Sequence, residues 1–315
     1  MSAVSEPRAA KGRTPDVDLR KLRVLRELEQ RGTISAVAEA LHLTASAVSQ
    51  QITALGRDLG VPLTEPVGRR LRLTGAARLV LAHAEQIFAQ VEQLHAQLAA
   101  YREGGIGEVT ITGFAGVLSP LVLPAAGLLK RDQPALRTVL TEVDPPASFD
   151  QLARGETDVV IAAESPAAPV ADARFHKVPL MSEGFDLALP VGHRLADAPQ
   201  VTLADLADEP WIFATVGMCQ EIPLSAFAAA GFTPRSAHAI GDWSATFTAV
   251  GLGMGVCLVP QAARPAARGD VVLRPFADAP RRNLFAMVRE GSQSAPEITT
   301  ALAALQDAAR AAETV

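Results

Sequence analysis

Residues 33–52, TISAVAEALHLTASAVSQQI, constrain this chain more tightly than any other stretch. The spacing predicts two short helices joined by a tight turn. The first runs from about Ser35 to Leu41, and His42 and Leu43 make the turn. Thr44 then caps a second helix that reaches about Leu59 and stops at Gly60. Val48, Ile52, Leu55 and Leu59 recur at spacings of four, three and four, so they share one inward face. Ser46, Ser49, Gln50 and Thr53 are left nearer the open side. A helix with small polar residues at its start and an amide-bearing outer face suits a DNA major groove.

The flanking segments complete a compact unit. Residues 18–31, DLRKLRVLRELEQR, place apolar residues at 19, 22, 25 and 28, with Asp18 as N-cap and Gly32 just past the end. Residues 61–73, VPLTEPVGRRLRL, contain Pro66 and Gly68, which break a helix, and crowd Arg69, Arg70 and Arg72 onto a short hairpin. A basic hairpin beside a helix-turn-helix is a wing, suited to phosphates or the minor groove. Net charge supports the division. Residues 1–75 carry +4 and the remainder −9, out of a total of −5.

Thr74 caps a long helix to about Tyr101. Within it Val80, Ala84, Ile87, Val91, Leu94, Leu98 and Tyr101 alternate at four and three, a period of 3.5 that marks a coiled-coil seam. A seam implies a partner helix, so a dimer is expected. Glu103 to Gly107 then form a hinge.

After the hinge the pattern becomes βαβ. Strand-like runs at 109–114, 138–143 and 159–163 alternate with helical ones at 118–131 and 148–154. Further strands are expected near 185–190, 211–213, 237–240 and 256–259, with helices near 222–230 and 244–251. From Val271 onward two strands and a helix over 297–311 close the chain. Two α/β lobes joined by crossing strands leave a cleft, where ligands meet strand ends and helix N-termini.

Several classes lack support. No apolar run reaches the ~18–20 residues that span a bilayer. Residues 1–17 read as a disordered tail without the apolar core of a signal peptide, so a cytoplasmic protein with no membrane partner is expected. The cysteines, Cys219 and Cys257, form no Cys/His cluster, and no metal site or cofactor is expected. Gly251-Leu252-Gly253-Met254-Gly255 precedes a strand, whereas a dinucleotide fingerprint follows one. No nucleophile elbow or paired-carboxylate motif supports an enzyme.

Three stretches together resemble the LysR-type transcriptional regulators: the run from Asp18 to Leu63, then GRRLRLTGAA, then QLARGETDVVIA. The resemblance covers nearly all of the chain after residue 17. Family members usually carry Ser-Gln-Pro at the start of the recognition helix, where this chain has Thr44-Ala45-Ser46. At the wing they usually carry Leu-Phe-x-Arg, where this chain has Leu63-Thr64-Glu65-Pro66. The resemblance implies an α/β chain with an all-α-type winged helix-turn-helix domain at the N-terminus, a long linker helix and a two-lobed periplasmic-binding-protein-like effector domain. The corresponding boundaries are a tail over 1–17, a DNA-binding domain over 18–75, a dimerising helix and hinge over 76–104, and an effector domain over 105–315. Its first lobe covers about 107–163 and 266–315, and its second about 164–265.

Carried over by position, Thr44, Ser46, Ser49 and Gln50 contact bases or phosphates, with Thr53 beside them. Gln is suited to adenine N6/N7. The family places ligand contacts at Gly116, Val117, Leu118 and Ser119, with the facing wall at Thr215, Gly217, Met218, Cys219, Asp242 and Trp243. Ser119 reads equally as a helix N-cap, and Trp243 equally as core. Expected partners are double-stranded DNA, a second copy in a dimer or tetramer, a small-molecule effector of unspecified class and, for an activator, RNA polymerase. Two alternatives stay open. In the peroxide-sensing branch a reactive cysteine occupies a place like Cys219 in Gly217-Met218-Cys219, although no second cysteine follows in the next helix. A solute-binding protein would account for the lobes but not for residues 18–75.

Overall fold

The computed structural model describes residues 17–67, 70–101, 107–213, 218–229, 231–264, 269–275 and 279–313. Residues 1–16 of the expected tail and most of the expected hinge lie outside the described residues. The chain divides into two compact units, with the division after Phe88.

The first unit is built from capped helices. Asp18 is extended and accepts the N–H of Arg20, which starts α1 (Leu19–Arg31), and Gly32 ends it at φ +71°. Thr33 caps α2 (Ile34–Ala40), and Thr44 caps α3 (Ala45–Leu59). Each cap satisfies an N–H that has no partner within its helix. Gly60 ends α3 at φ +74°. The turn between α2 and α3 is tight because His42 adopts φ +52°, the left-handed region that costs a side chain strain. Leu22, Leu25 and Leu28 of α1, Val37 of α2 and Val48, Ile52 and Leu55 of α3 form one core. Strands β1 (Thr64–Val67) and β2 (Arg70–Leu73) pair antiparallel, with Glu65 opposite Arg72.

Helix α4 (Gly75–Tyr101) begins where the Thr74 hydroxyl accepts the Ala77 N–H at 3.1 Å and donates to the Pro62 carbonyl at 2.8 Å. The expected seam is not free along its whole length. Ala84 is 1% exposed and Val80 packs against the same core, so both serve the first unit itself. Ile87, Leu94 and Leu98 remain exposed and Val91 half-buried. The Tyr101 side chain lies outside the described ones. In the second unit, Ala96 joins a core, Glu92 receives Arg289 at 3.0 Å, and Gly291 lies against the Ala89 carbonyl.

The second unit is built around a long shared strand. Parallel β3 (Glu108–Gly113), β4 (Arg137–Glu142) and β5 (Val159–Glu164) form its first part, with β3 in the middle. Between β3 and β4 the chain makes a short helical turn, α5 (Ala115–Val117), a π-helical turn over Leu118–Val122, and α6 (Leu123–Asp132). The sequence pattern predicts a single helix here. Pro120 lacks an N–H and crowds the preceding turn, and the helix widens so that Leu123 bonds back to Leu118. Helix α7 (Ala147–Arg154) leads to β5.

Strand β6 (Phe175–Pro190) is longer than the strand expected at 185–190. Its first ten positions read poorly as strand because they hold Pro179 and several polar residues. The structure accommodates Pro179 opposite Phe285, where the register shifts. Beyond it lie β7 (Pro210–Phe213), α8 (Met218–Ala229), β8 (Arg235–Ala239), α9 (Trp243–Gly251), β9 (Cys257–Pro260) and β10 (Val271–Arg274). The chain returns through β11 (Arg281–Arg289) and ends in α10 (Pro296–Glu313). Residues 175–184 of β6 pair with β11, which pairs with β5, whereas 185–190 pair with β9 and β10. Residues 175–184 join the first sheet, and 271–274 join the second, because one continuous strand serves both. Strands β7 and β8 are parallel and connect to β9 through the Trp211–Val256 bridge.

Candidate nucleic-acid interface and ligand cavity

On α3 the side chains of Ser46, Ser49, Gln50 and Thr53 are all exposed, and Val48, Ile52 and Leu55 are buried behind them. The outward residues are spaced by three, one and three, so they form one stripe of donors and acceptors. Thr44 stands at the head of this stripe but its hydroxyl is already engaged. It accepts the Ala47 N–H at 3.2 Å and lies 3.0 Å from the Ser46 hydroxyl. Gly56 lets α3 approach the strand entry, because a Cβ there would meet the Val61 carbonyl at 2.9 Å.

The wing gives a mixed result. Arg72 is exposed, yet its guanidinium donates to Glu65 at 2.7 and 2.9 Å across the hairpin. Arg69 lies outside the described residues, and of Arg70 only the backbone, in β2, is described. Sequence reading weighs the arginines without the acidic residue that pairing places opposite one of them.

The second unit holds a cavity of about 200 Å³. Its walls come from the ends of β3, β4 and β7 and from the starts of α5 and α9, the strand-end and helix-start position expected of an α/β ligand site. Of the expected ligand residues, Gly116 and Trp243 line it together. A Cβ on Gly116 would sit 3.6 Å from Trp243 Nε1 and 3.2 Å from the Phe114 ring. Trp243 both lines the cavity and packs against the core, so its two readings are not exclusive.

Other expected contacts are placed elsewhere. Val117 is fully buried in the core, and Leu118 packs against that core. Ser119 is exposed within the π-helical turn, where no side-chain cap bond forms. Asp242 is the N-cap of α9, its carboxylate accepting the Ala245 N–H at 2.7 Å. These four are not among the lining residues. Thr215 and Gly217 lie outside the described residues. Met218 and Cys219 are described only as the backbone of the first turn of α8.

Most of the other lining groups were not anticipated from sequence, among them Phe114, Trp211, Phe213 and the carboxylates Glu142 and Asp144. Asp144 is half-buried, and desolvation pushes its pKa above the ordinary carboxylate value. Cys257 also lines the cavity, although its side chain is only 2% exposed. Burial pushes its thiol up to about 12, which makes it an unreactive apolar wall atom. Behind Phe114 sits Arg282, fully buried and paired to Glu183 at 2.7 Å, its guanidinium 5.6 Å from the Phe114 ring centroid and 5.7 Å from that of Phe185. Glu183 also accepts the Ala262 N–H at 2.6 Å. No signal in the sequence paired residues 183 and 282, which lie far apart in the chain.

Comparison with known proteins agrees with this arrangement. The family described as "Bacterial regulatory helix-turn-helix protein, lysR family" matches residues 19–78, and "LysR substrate binding domain" matches residues 102–310. A probable hydrogen peroxide-inducible genes activator of Mycobacterium avium is 31% identical over 266 residues, covering 82% of this chain and 83% of its own. Among solved structures, an H2O2-bound mutant of Corynebacterium glutamicum OxyR superposes with TM-score 0.60 at 21% identity, over 96% of this chain and 95% of that one. Full-length CbnR in complex with its target DNA superposes with TM-score 0.54 at 21% identity, over 93% of this chain and all of that one. The helix-turn-helix match accounts for the segment that a solute-binding protein would leave without a role. A capped helix-turn-helix, a paired hairpin and an α/β unit with a cavity between strand ends thus converge with these matches: the chain belongs to the LysR-type transcriptional regulators.

Proposed function

We propose that the chain binds operator DNA through α3 and the β1–β2 wing, and that a small molecule in the cavity controls that binding. The exposed stripe of Ser46, Ser49, Gln50 and Thr53 carries the DNA reading, because an apolar core fixes it rigidly from behind. Thr44 contributes as the cap that holds the stripe's first turn. Arg69, Arg70 and Arg72 supply phosphate contacts, with Arg72 exchanging Glu65 for a phosphate. CbnR in complex with its target DNA supports the same use of the fold. Residues 18–75 serve as the DNA-binding domain, 76–104 as linker and 105–315 as effector domain. The exposed residues Ile87, Leu94 and Leu98 of α4, with Val91, pair with a second copy, and dimers assemble further on DNA. The protein acts in the cytoplasm, and RNA polymerase is a further partner where the outcome is activation.

Selection of bound sequences from random duplexes by the full chain tests the DNA reading. Replacing Ser49 and Gln50 together by Ala is expected to lose about 1–3 kcal/mol for each base contact removed. Replacing Arg72 alone should weaken all sequences alike and flatten the salt slope by about one unit. Unchanged selection after the double replacement would show that another surface reads the bases.

A thiol switch at Cys219 is a second reading, favoured by the peroxide-inducible activator among the relatives and by the place of Cys219 in the first turn of α8. Mass spectrometry after peroxide treatment of the native chain tests it. Oxidation at Cys219 with a changed footprint supports the switch, and unchanged Cys219 removes it. Cys257 should stay unmodified in either case, since its thiol is buried and protonated.

A further inference from the structure

We infer that the cavity takes a small organic cation, a compact amine carrying one positive charge and no negative one. The inference rests on the cavity being the effector site and names the chemistry of its ligand.

Four observations point the same way. First, Glu142 and Asp144 both line the cavity, and among the described residues lining it there is no Lys, Arg or His. Secondly, neither carboxylate has a side-chain hydrogen bond or ion pair among the described residues; Glu142 is exposed, whereas Asp144 is half-buried, and a partly desolvated carboxylate without a counter-charge is unfavourable. Other acidic groups nearby are satisfied: Glu183 holds Arg282, and Asp186 holds Arg264 at 2.5 Å. Those two arginines are therefore neutralised by their own partners. Thirdly, of the two helix starts in the cavity wall, the longer one, that of α9, already holds a carboxylate. Asp242 accepts the Ala245 N–H at the head of α9, and the Thr246 hydroxyl donates to the Asp242 carbonyl at 2.9 Å. The first turn of α8 carries Glu221. An anion would therefore meet a carboxylate at the heads of α8 and α9, and uncapped N–H groups at the start of the three-residue α5.

The fourth observation is the aromatic lining. Phe114, Phe213 and Trp243 line the cavity. Ring faces attract a cation through their quadrupole, and more strongly where water is excluded. Trp243 is the one of these that is half-exposed, with its indole N–H free of any protein partner among the described residues. Carboxylates and rings lining one cavity make a receptor for an alkyl- or arylammonium head. The volume of about 200 Å³ limits it to a compact molecule.

Three probes that share one ring skeleton separate charge from shape: benzylammonium, benzyl alcohol and benzoate. Both tryptophans, Trp211 and Trp243, line the cavity, so fluorescence of the intact chain reports binding there. Benzylammonium is expected to give saturable quenching with an affinity at least about tenfold tighter than benzyl alcohol, the ratio that about 1.4 kcal/mol supplies. Benzoate should bind more weakly than either. Asp144→Asn and Glu142→Gln, both at solvent-reachable positions, should each erase part of the preference for benzylammonium, and the double replacement most of it. Equal binding of the three probes, or preference for benzoate, overturns the cation assignment and leaves the cavity as a ligand site. Preference for benzylammonium that survives the double replacement overturns it as well. Binding of none of the three, in a chain whose melting temperature is normal, overturns both the cation assignment and the use of this cavity.

Discussion

Asp144 shows how a residue can be held against its own stability. Its carboxyl is half-buried without a partner, and desolvation raises its pKa. A carboxyl whose pKa is higher folded than unfolded binds its proton more tightly in the native state, so ionising it destabilises the fold. That penalty is full at neutral pH and fades as pH falls through the raised value toward the ordinary carboxylate range. Asp144→Asn should therefore raise the melting temperature of the ligand-free chain at pH 7, and the gain should shrink on acidification through that window. A gain that stays constant down to pH 3 would show that the carboxylate is not strained. Loss of ligand binding in the same variant would fit a trade of stability for function. Sequence reading passes over Asp144 and Glu142 because they follow no motif. Their meaning comes from the absence of any basic residue among the described residues lining the same cavity, which is a property of packing.

At the scale of elements, α3 combines what was legible with what was not. Its caps, its end at Gly60 and its inward face follow from local chemistry and spacing. Gly56 is different, since nothing in a helical pattern calls for glycine at its centre. Alanine is the better helix former by about 1 kcal/mol. Gly56→Ala should nevertheless lower the melting temperature of the first unit, because the added Cβ would sit 2.9 Å from the Val61 carbonyl. A higher melting temperature would mean that the helix and the wing entry can separate without loss. Helix α4 makes a second case. Its 3.5-residue period is evident, but Ala84 and Val80 serve the first unit's core. The period cannot tell a neighbour in the same chain from a partner in another. Leu94, 52% exposed, belongs to the part still free, so Leu94→Asp should shift light-scattering mass toward the monomer and leave helix content unchanged. An unchanged mass would remove the exposed end of α4 from the interface.

For the whole molecule, the decisive feature is β6, which gives one half to each sheet of the second unit. Near the change of partner, Glu183 and Arg282 form a buried ion pair, 2% and 0% exposed at their side chains. Such a pair is a modest source of stability when intact, but removing one partner strands a buried charge at a cost of about 3–5 kcal/mol. Glu183→Gln is expected to destabilise the second unit by an amount in that range in chemical denaturation, and to disturb Phe114, whose ring faces the same guanidinium. A loss well under about 1 kcal/mol would show that water or another group replaces the carboxylate. A double replacement by apolar residues should recover much of the loss, since the penalty belongs to the unpaired charge.

Sequence by itself determined the elements whose causes are local. Caps at Asp18, Thr44 and Thr74, stops at Gly32 and Gly60, the inward stripe of α3 and the alternation of strands and helices after residue 107 were all readable. Each depends on residues within a few positions of one another. Tertiary structure alone decided that Pro179 lies inside a strand, that residues 271–274 join the second sheet and that Val117 is core while Phe114 lines the cavity. It also decided that Arg72 faces Glu65 and that Arg282 faces Glu183. Those outcomes depend on which distant residues meet, and a charge or a ring acquires its role only from what is packed opposite it.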